Sequence, residues 1–476
     1  MSTGANFQPV LEATLQHALT YLGGLEQGPV SASASLEDLR GRLSFALAED
    51  GLDPRQVIDE LVAGVEGGLL GSAGGRFFAW VIGGSLPAAL AADWLTSTWD
   101  QNAALYSCSP AEAVIEEACG RWLKDLLGLP ASASFALTTG CQMAHFTCLA
   151  AARNAILARQ GWDVEKRGLL GAPRIRVLCN SQVHGSVERT LRFLGLGSEC
   201  VQNLAVDAEG RLEPEALAAA LRGVAGEPAL VLLCAGDINI GAFDRFEALI
   251  PLAHAHGAWV HVDGAFGLWV QASPGLRHLL KGVEQADSWA TDGHKWLNVP
   301  YDCGYAFVAD TRAHRASMSL RASYLVHAEE ARDPFDWNVE WSRRGRGVAT
   351  YAALRELGRN GLRELVERCC RHAQALVTGI GALTGAQVMW EPRINQGLVR
   401  FPDPSPSATE ADHDAHTDQV IAGIVQTGRA FVGGTTWRGR RCMRISVCNW
   451  LTTEADVTAT IAAVKDVLGD TPGGRP

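Results

Sequence analysis

Apolar residues recur at three- and four-residue intervals over residues 11–22 and 36–47, which predicts two amphipathic helices near the start of the chain. The glycine-rich run over residues 67–75 closes this part in flexible backbone, so it reads as an arm and not as a body with its own core. Glycines and Pro87 mark a turn over residues 76–87, and a helix follows over 88–99. The next helix begins at Ser109, where a hydroxyl at the cap, Pro110 at the first helical position and Glu112 form a start signal. Its expected apolar face is Val114, Ile115, Ala118, Trp122, Leu123, Leu126 and Leu127.

From residue 135 the pattern alternates. Short apolar runs without polar alternation (135–138, 175–179, 229–234, 258–262 and 304–308) are separated by helical stretches over 143–159, 186–194, 214–221 and 246–256. Such strands imply a mostly parallel sheet covered on both faces, with a ligand at the carboxyl ends of the strands. After about residue 345 the character changes to a long helix over 351–379 and strand-like runs over 397–401, 431–432 and 443–447. The expected organisation is a helical arm over 1–95, a large α/β domain over 96–345 and a smaller α+β domain over 346–476, with a frayed tail from residue 471.

Composition narrows the function classes. At 476 residues, 47% hydrophobic and 20% charged, the chain has material for two or three domains with a sizeable core. A net charge of -11 without basic patches argues against nucleic acid as a partner and for a small molecule. The first residues show no basic stretch followed by an apolar one, and no run approaches the ~20 apolar residues of a membrane span, so a soluble, cytoplasmic protein is expected. The twelve cysteines are scattered through apolar segments without a Cys-x-x-Cys pair and read as buried free thiols.

Chemistry concentrates at Lys295 and Asp263. Lys295 follows a short strand-like stretch, and Asp263 ends the strand pattern Trp259-Val-His-Val-Asp263. A lysine amine can hold an aldehyde as a Schiff base, and a carboxylate at a strand end can keep a pyridine nitrogen protonated; together they point to pyridoxal 5′-phosphate (PLP). Ala265, two residues on, leaves room for a flat ring. The turn from residue 138 to the helix beginning near 143 aims the N–H groups of Gly140, Cys141 and Gln142 outward, as a phosphate cradle would. His184, beyond another strand end, can lie over the ring. The cluster of acids and histidines over 410–418 fits no metal spacing and reads as a solvated helix start.

Phe78, Gly83-Gly-Ser-Leu-Pro87, Ser109-Pro110, Thr139-Gly140, His184, Gly241-Ala-Phe-Asp244, His261-Val-Asp263-Gly-Ala265 and the string from Asp292-Gly-His-Lys295 to Asp302-Cys-Gly304 occur in an order that resembles the group II PLP-dependent decarboxylases. The likeness to this aromatic amino acid, tyrosine and glutamate decarboxylase family runs over about residues 75–460. It implies the type I PLP-dependent transferase fold (aspartate aminotransferase-like) and a homodimer with active sites at the subunit interface. By that resemblance Lys295 carries the cofactor, Asp263 pairs with its ring nitrogen, Ala265 floors the ring and His184 stacks on it. Asp292 and His294 lie near the phosphate or orient Lys295, and Arg444 holds a substrate carboxylate. The implied reaction is decarboxylation of an L-amino acid, aromatic favoured and acidic the rival, with Trp80, Trp99, Trp296 and Trp437 as candidate pocket aromatics.

The departures from the family pattern bear on the reaction. Cys141-Gln142 replaces a Gly-Ser phosphate turn, and Asp237 stands where a threonine is common. Pro334 or Phe335 aligns with the mobile-loop tyrosine that protonates the substrate carbon in relatives, and the nearest tyrosine is Tyr324. In related sequences a phenylalanine there accompanies oxidative deamination to an aldehyde. That reaction, aminotransfer, Cα–Cβ cleavage and a non-catalytic PLP-binding role are the alternatives, with Tyr301, His184 or a partner loop as other proton sources.

Overall fold

Four strands of the central sheet are buried at every residue, because helices cover both faces. The computed structural model describes residues 6–320 and 331–470. Its large sheet contains β1 (Ser134–Thr138), β2 (Arg176–Asn180), β3 (Val201–Leu204), β4 (Ala229–Cys234), β5 (Trp259–Asp263), β6 (Ser288–Asp292) and β7 (Gly304–Val308), in the order β1-β7-β6-β5-β4-β2-β3. Strands β3, β2, β4, β5 and β6 run parallel, while β7 lies antiparallel between β6 and β1. A separate antiparallel sheet holds β8 (Gln387–Trp390), β9 (Gln396–Arg400), β10 (Gly433–Trp437) and β11 (Arg440–Ser446), in the order β10-β11-β9-β8.

The five strands expected from apolar runs all exist. The missed ones, β3 and β8, are edge strands with exposed polar residues such as Gln202, Asn203 and Gln387, so no apolar run marks them. The strand expected at 431–432 is a single bridge from Phe431 to Phe77, and β10 begins at Gly433. The long helix runs over Arg346–Gly381 with a break at Gly358, whose φ of 57° favours glycine. Helix Cys141–Arg159 lies on the sheet through small residues, Ala144, Cys148, Ala151 and Ala152, that let it come close; Cys148 Sγ reaches the carbonyls of Trp289 and Phe307 at 3.4 and 3.5 Å.

In the arm, helices Gln8–Gly24 and Leu36–Leu43 bury no residue, and helix Pro54–Gly64 buries only Gly64. Helix Pro110–Leu126 buries Leu123 and Leu127 of its expected face and packs Ile115, Trp122 and Leu126 against the core, but Val114 is 54% exposed, and the acids Glu112 and Glu116 also turn inward at 3% and 1%. Arg343 accounts for the buried Glu116: its Nη2 donates to Glu116 Oε1 at 2.5 Å.

Glu112 pays no such compliment to its surroundings: burial, then the neighbouring Glu116 charge, raises its pKa from 4.5 to about 7 despite Arg343. Between those values the folded chain keeps a proton that the unfolded chain has released, so stability falls as pH rises through this window. Glu112→Gln removes the titration. The variant should therefore gain thermal stability over the native chain at pH 8 but little at pH 5; an equal change at both would contradict the burial of an ionising Glu112.

Candidate active site

Parallel neighbours β5 and β6 end side by side, with Asp263 opposite Ala290, so Asp263 and Asp292 emerge at the same sheet edge. Three residues beyond Asp292 the chain turns tightly: Asn298 N–H donates to the Lys295 carbonyl at 3.1 Å and Val299 N–H to the Gly293 carbonyl at 3.1 Å. Asn298 fixes this turn from outside, accepting from Gly84 N–H at 2.6 Å and Trp450 N–H at 3.0 Å and donating to the Cys448 carbonyl at 3.0 Å. Gly83 passes so close that a Cβ there would strike the Lys295 carbonyl, which explains the glycine.

The Lys295 side chain, 21% exposed, is held by Asp292: Nζ to Oδ2 is 2.9 Å. Burial disfavours the ammonium, but the Asp292 carboxylate outweighs it and holds the Lys295 pKa above the ordinary lysine value. The other oxygen of Asp292 accepts the Cys141 N–H at 2.6 Å and lies 3.5 Å from His294 Nε2. This revises one expectation. The Cys141 N–H, placed in the phosphate cradle from sequence, is taken by Asp292, whereas Gln142 and Met143 stand in the first turn with no helical acceptor behind them. Gly140 brings the backbone close to this edge, since a Cβ would lie 3.1 Å from His294 Cε1.

Asp263 is also pinned: Oδ1 accepts the Ala265 N–H at 3.1 Å, and Oδ2 lies 3.6 Å from His145 Nε2. His184 caps helix Gly185–Phe193, its Nδ1 facing the Ser186 N–H at 3.3 Å. Desolvation of the ring lowers its pKa, and Asp263, Lys295, Asp292 and Arg444 are the charges that act on it. His294 stacks on Tyr301 with ring centroids 4.3 Å apart. Arg444 comes from β11, 7% exposed; its Nη1 donates to the Ile238 carbonyl at 3.1 Å and its Nε has no hydrogen-bond partner. Burial pulls its pKa down to about 10 against the attraction of Asp237, so it remains a cation at neutral pH.

Asp237 turns back on its own loop. Its carboxylate accepts the N–H groups of Asn239, Ile240 and Ala242 at 2.9, 3.2 and 2.6 Å, which offsets part of the cost of burial, although burial still holds its pKa above the ordinary carboxylate value. Trp296 and Trp437 are core residues at 0% and 8%, leaving Trp80 and Trp99 as the exposed aromatics of the expected four. Phe335 packs at 2% exposure against Ala104 and Leu105, and Tyr324 lies outside the described residues. The 410–418 cluster forms a capped helix start with ion pairs to Arg400 and Arg441. Sequence reasoning missed Asn298, His145 and His261; of these only His261 carried a signal, two residues before Asp263 on the same strand face.

A lysine and a carboxylate at adjacent strand ends, a helix start with free N–H groups and a half-satisfied buried arginine suit a small, flat, phosphorylated aldehyde and an amino acid beside it. The model of the pyridoxal-dependent decarboxylase conserved domain matches residues 38–402. The aromatic-L-amino-acid decarboxylase of Bacillus atrophaeus is 26% identical over 94% of this chain and 92% of its own length. The L-2,4-diaminobutyrate decarboxylase of Rhizobium meliloti is 30% identical over 80% and 75%. Among solved structures, Oryza sativa TDC with PLP and tryptamine superposes with a TM-score of 0.91 at 25% identity, covering 98% of both chains. The chain belongs to the pyridoxal-dependent decarboxylase family and is a PLP-dependent carboxy-lyase acting on an amino acid.

Proposed function

We propose that the substrate is an aromatic L-amino acid, released as its amine and CO₂. The observation that carries this reading is the charge inventory around His184. Lys295 and Arg444 are the cations that act on it; the first is assigned to the cofactor and the second to the substrate α-carboxylate, so neither is left to pair with an acidic side chain. Trp80, 51% exposed, stands three residues before the Gly83 that abuts Lys295 and offers an aromatic face.

When bound, PLP supplies an aldehyde that captures amines and a protonated ring that accepts the electron pair left behind by CO₂. Lys295 would bind that aldehyde and yield it to the incoming amine, and Asp292, 2.9 Å away, would orient the lysine amine. Asp263 keeps the ring nitrogen protonated, Ala265 floors the ring and His184 covers it. The N–H groups of Gln142 and Met143 receive the phosphate, with Gly140 allowing close approach. Arg444 orients the substrate by its carboxylate. Tyr301, whose phenol is pushed up to about 12 by desolvation, His184 and a loop of a partner subunit are the candidate proton sources for the substrate carbon.

The purified protein, given a panel of L-amino acids, should release CO₂ and amine in equal amounts and fastest from an aromatic substrate; Lys295→Ala should abolish both. Aldehyde with peroxide would establish oxidative deamination instead, and faster turnover of acidic substrates would overturn the side-chain assignment.

The reading includes a division at about residues 95 and 345, a cytoplasmic setting and a homodimer. Twelve unpaired thiols suit a reducing compartment, and no helix among the described residues is long and apolar enough to cross a membrane. Leu11, Leu15, Leu19 and Leu22, 41–55% exposed, form one stripe on helix Gln8–Gly24 that a second copy would cover. Sedimentation should give twice the 50.8 kDa chain mass, and Leu11→Glu with Leu15→Glu should produce monomers. A fully active native monomer would refute the pairing.

A further inference from the structure

Behind Asp263 runs a file of buried polar groups for which the chemistry above has no use. Trp259 and His261 on β5, Ser288 at the start of β6 and His145 on helix Cys141–Arg159 are all at most 1% exposed. Trp259 Nε1 donates to Ser288 Oγ at 3.0 Å. Ser288 Oγ lies 2.9 Å from His261 Nδ1, and His261 Nε2 lies 2.9 Å from His145 Nδ1. His145 Nε2 then faces Asp263 Oδ2 at 3.6 Å and Cys141 Sγ at 3.4 Å. Trp259, His261 and Asp263 occupy alternate positions of β5 and so share one face of the sheet.

The chemistry of the two ends gives the file a direction. An indole N–H only donates, and a carboxylate only accepts. Ser288 therefore receives from Trp259 and passes its own proton to His261 Nδ1, its other hydrogen-bond partner among the described residues. His261 then carries its hydrogen on Nε2 and donates to His145 Nδ1, which leaves the His145 hydrogen on Nε2, facing both Cys141 Sγ and Asp263 Oδ2. Burial keeps both rings neutral, lowering His145 to about 3 and His261 well below the ordinary histidine value. A neutral donor matters here: an imidazolium would neutralise Asp263 and compete with a ring-nitrogen proton. At 3.6 Å the last step is a dipole–charge attraction just beyond hydrogen-bond length.

We propose that His145 and His261 are positioning residues which, through the Trp259–Ser288 anchor, present a fixed N–H dipole to Asp263 and hold it as an oriented carboxylate. The inference rests on the reading of Asp263 as the partner of the cofactor ring nitrogen. With Oδ1 tied to Ala265 N–H and Oδ2 facing His145, the carboxylate cannot rotate freely, and its remaining lone pairs are directed at the site.

The test reconstitutes the protein with PLP labelled with nitrogen-15 in its ring, whose chemical shift distinguishes a protonated from an unprotonated nitrogen. The native protein should show the protonated shift at neutral pH. His145→Leu and Ser288→Ala should move the shift toward the unprotonated value and weaken PLP binding, by about tenfold for His145→Leu. His145→Gln, which keeps one donor and one acceptor, should restore both. A ring nitrogen that stays fully protonated in His145→Leu and Ser288→Ala would overturn the inference while leaving the role of Asp263 intact; an unprotonated nitrogen in the native protein would overturn that role itself. Ser288→Ala removes one oxygen only and carries the test if His145→Leu does not fold.

Discussion

The ion pair between Lys295 and Asp292, 2.9 Å long and set into the edge of a buried sheet, is the constraint around which the rest of the site is arranged. Burial disfavours the Lys295 ammonium, and the Asp292 carboxylate outweighs that effect. Paired, they hold an amine at the carboxyl end of β6, one strand away from Asp263 on β5. The second oxygen of Asp292 also ties down the start of helix Cys141–Arg159 through the Cys141 N–H. One carboxylate thus sets the position of the Lys295 amine and of the helix start at Cys141.

Close backbone packing keeps that arrangement rigid. Gly83 lies against the Lys295 carbonyl, and Gly304 lies so near Gly140 that an added Cβ would come within 2.5 Å of its Cα. Asn298 joins the Lys295 turn to both the arm-side segment at Gly84 and the small-sheet segment at Cys448 and Trp450. Arg444 reaches the same space from β11. The site is therefore assembled from three parts of the chain, and displacement of any one would be felt at the lysine.

What the sequence made legible follows from where each signal resides. Strands buried on both faces announce themselves as unbroken apolar runs, so β4 and β7 were read to their end residues, while the polar edge strands β3 and β8 carried no such mark. Lys295, Asp263, His184 and Arg444 are legible as chemistry placed at strand ends or in family-like strings, and the charges of Asp263, Lys295 and Arg444 all act on His184. The apolar face of helix Pro110–Leu126 is legible except at Val114, but the burial of Glu116 is not, because its partner Arg343 lies 227 residues away and no local pattern encodes that. The His145–His261 file is opaque for the same reason: its meaning lies in hydrogen bonds between a helix and two strands.

The chain has five lysines, and Lys166, Lys281 and Lys465 are solvent-exposed while Lys124 is bonded to the carbonyls of Ala131 and Ala133. Reduction of the holoenzyme with borohydride, followed by peptide mass spectrometry, is the most direct measurement of the account. It should find one pyridoxyl group per chain, on Lys295. A label on any of the other four lysines, or none on Lys295, would contradict it.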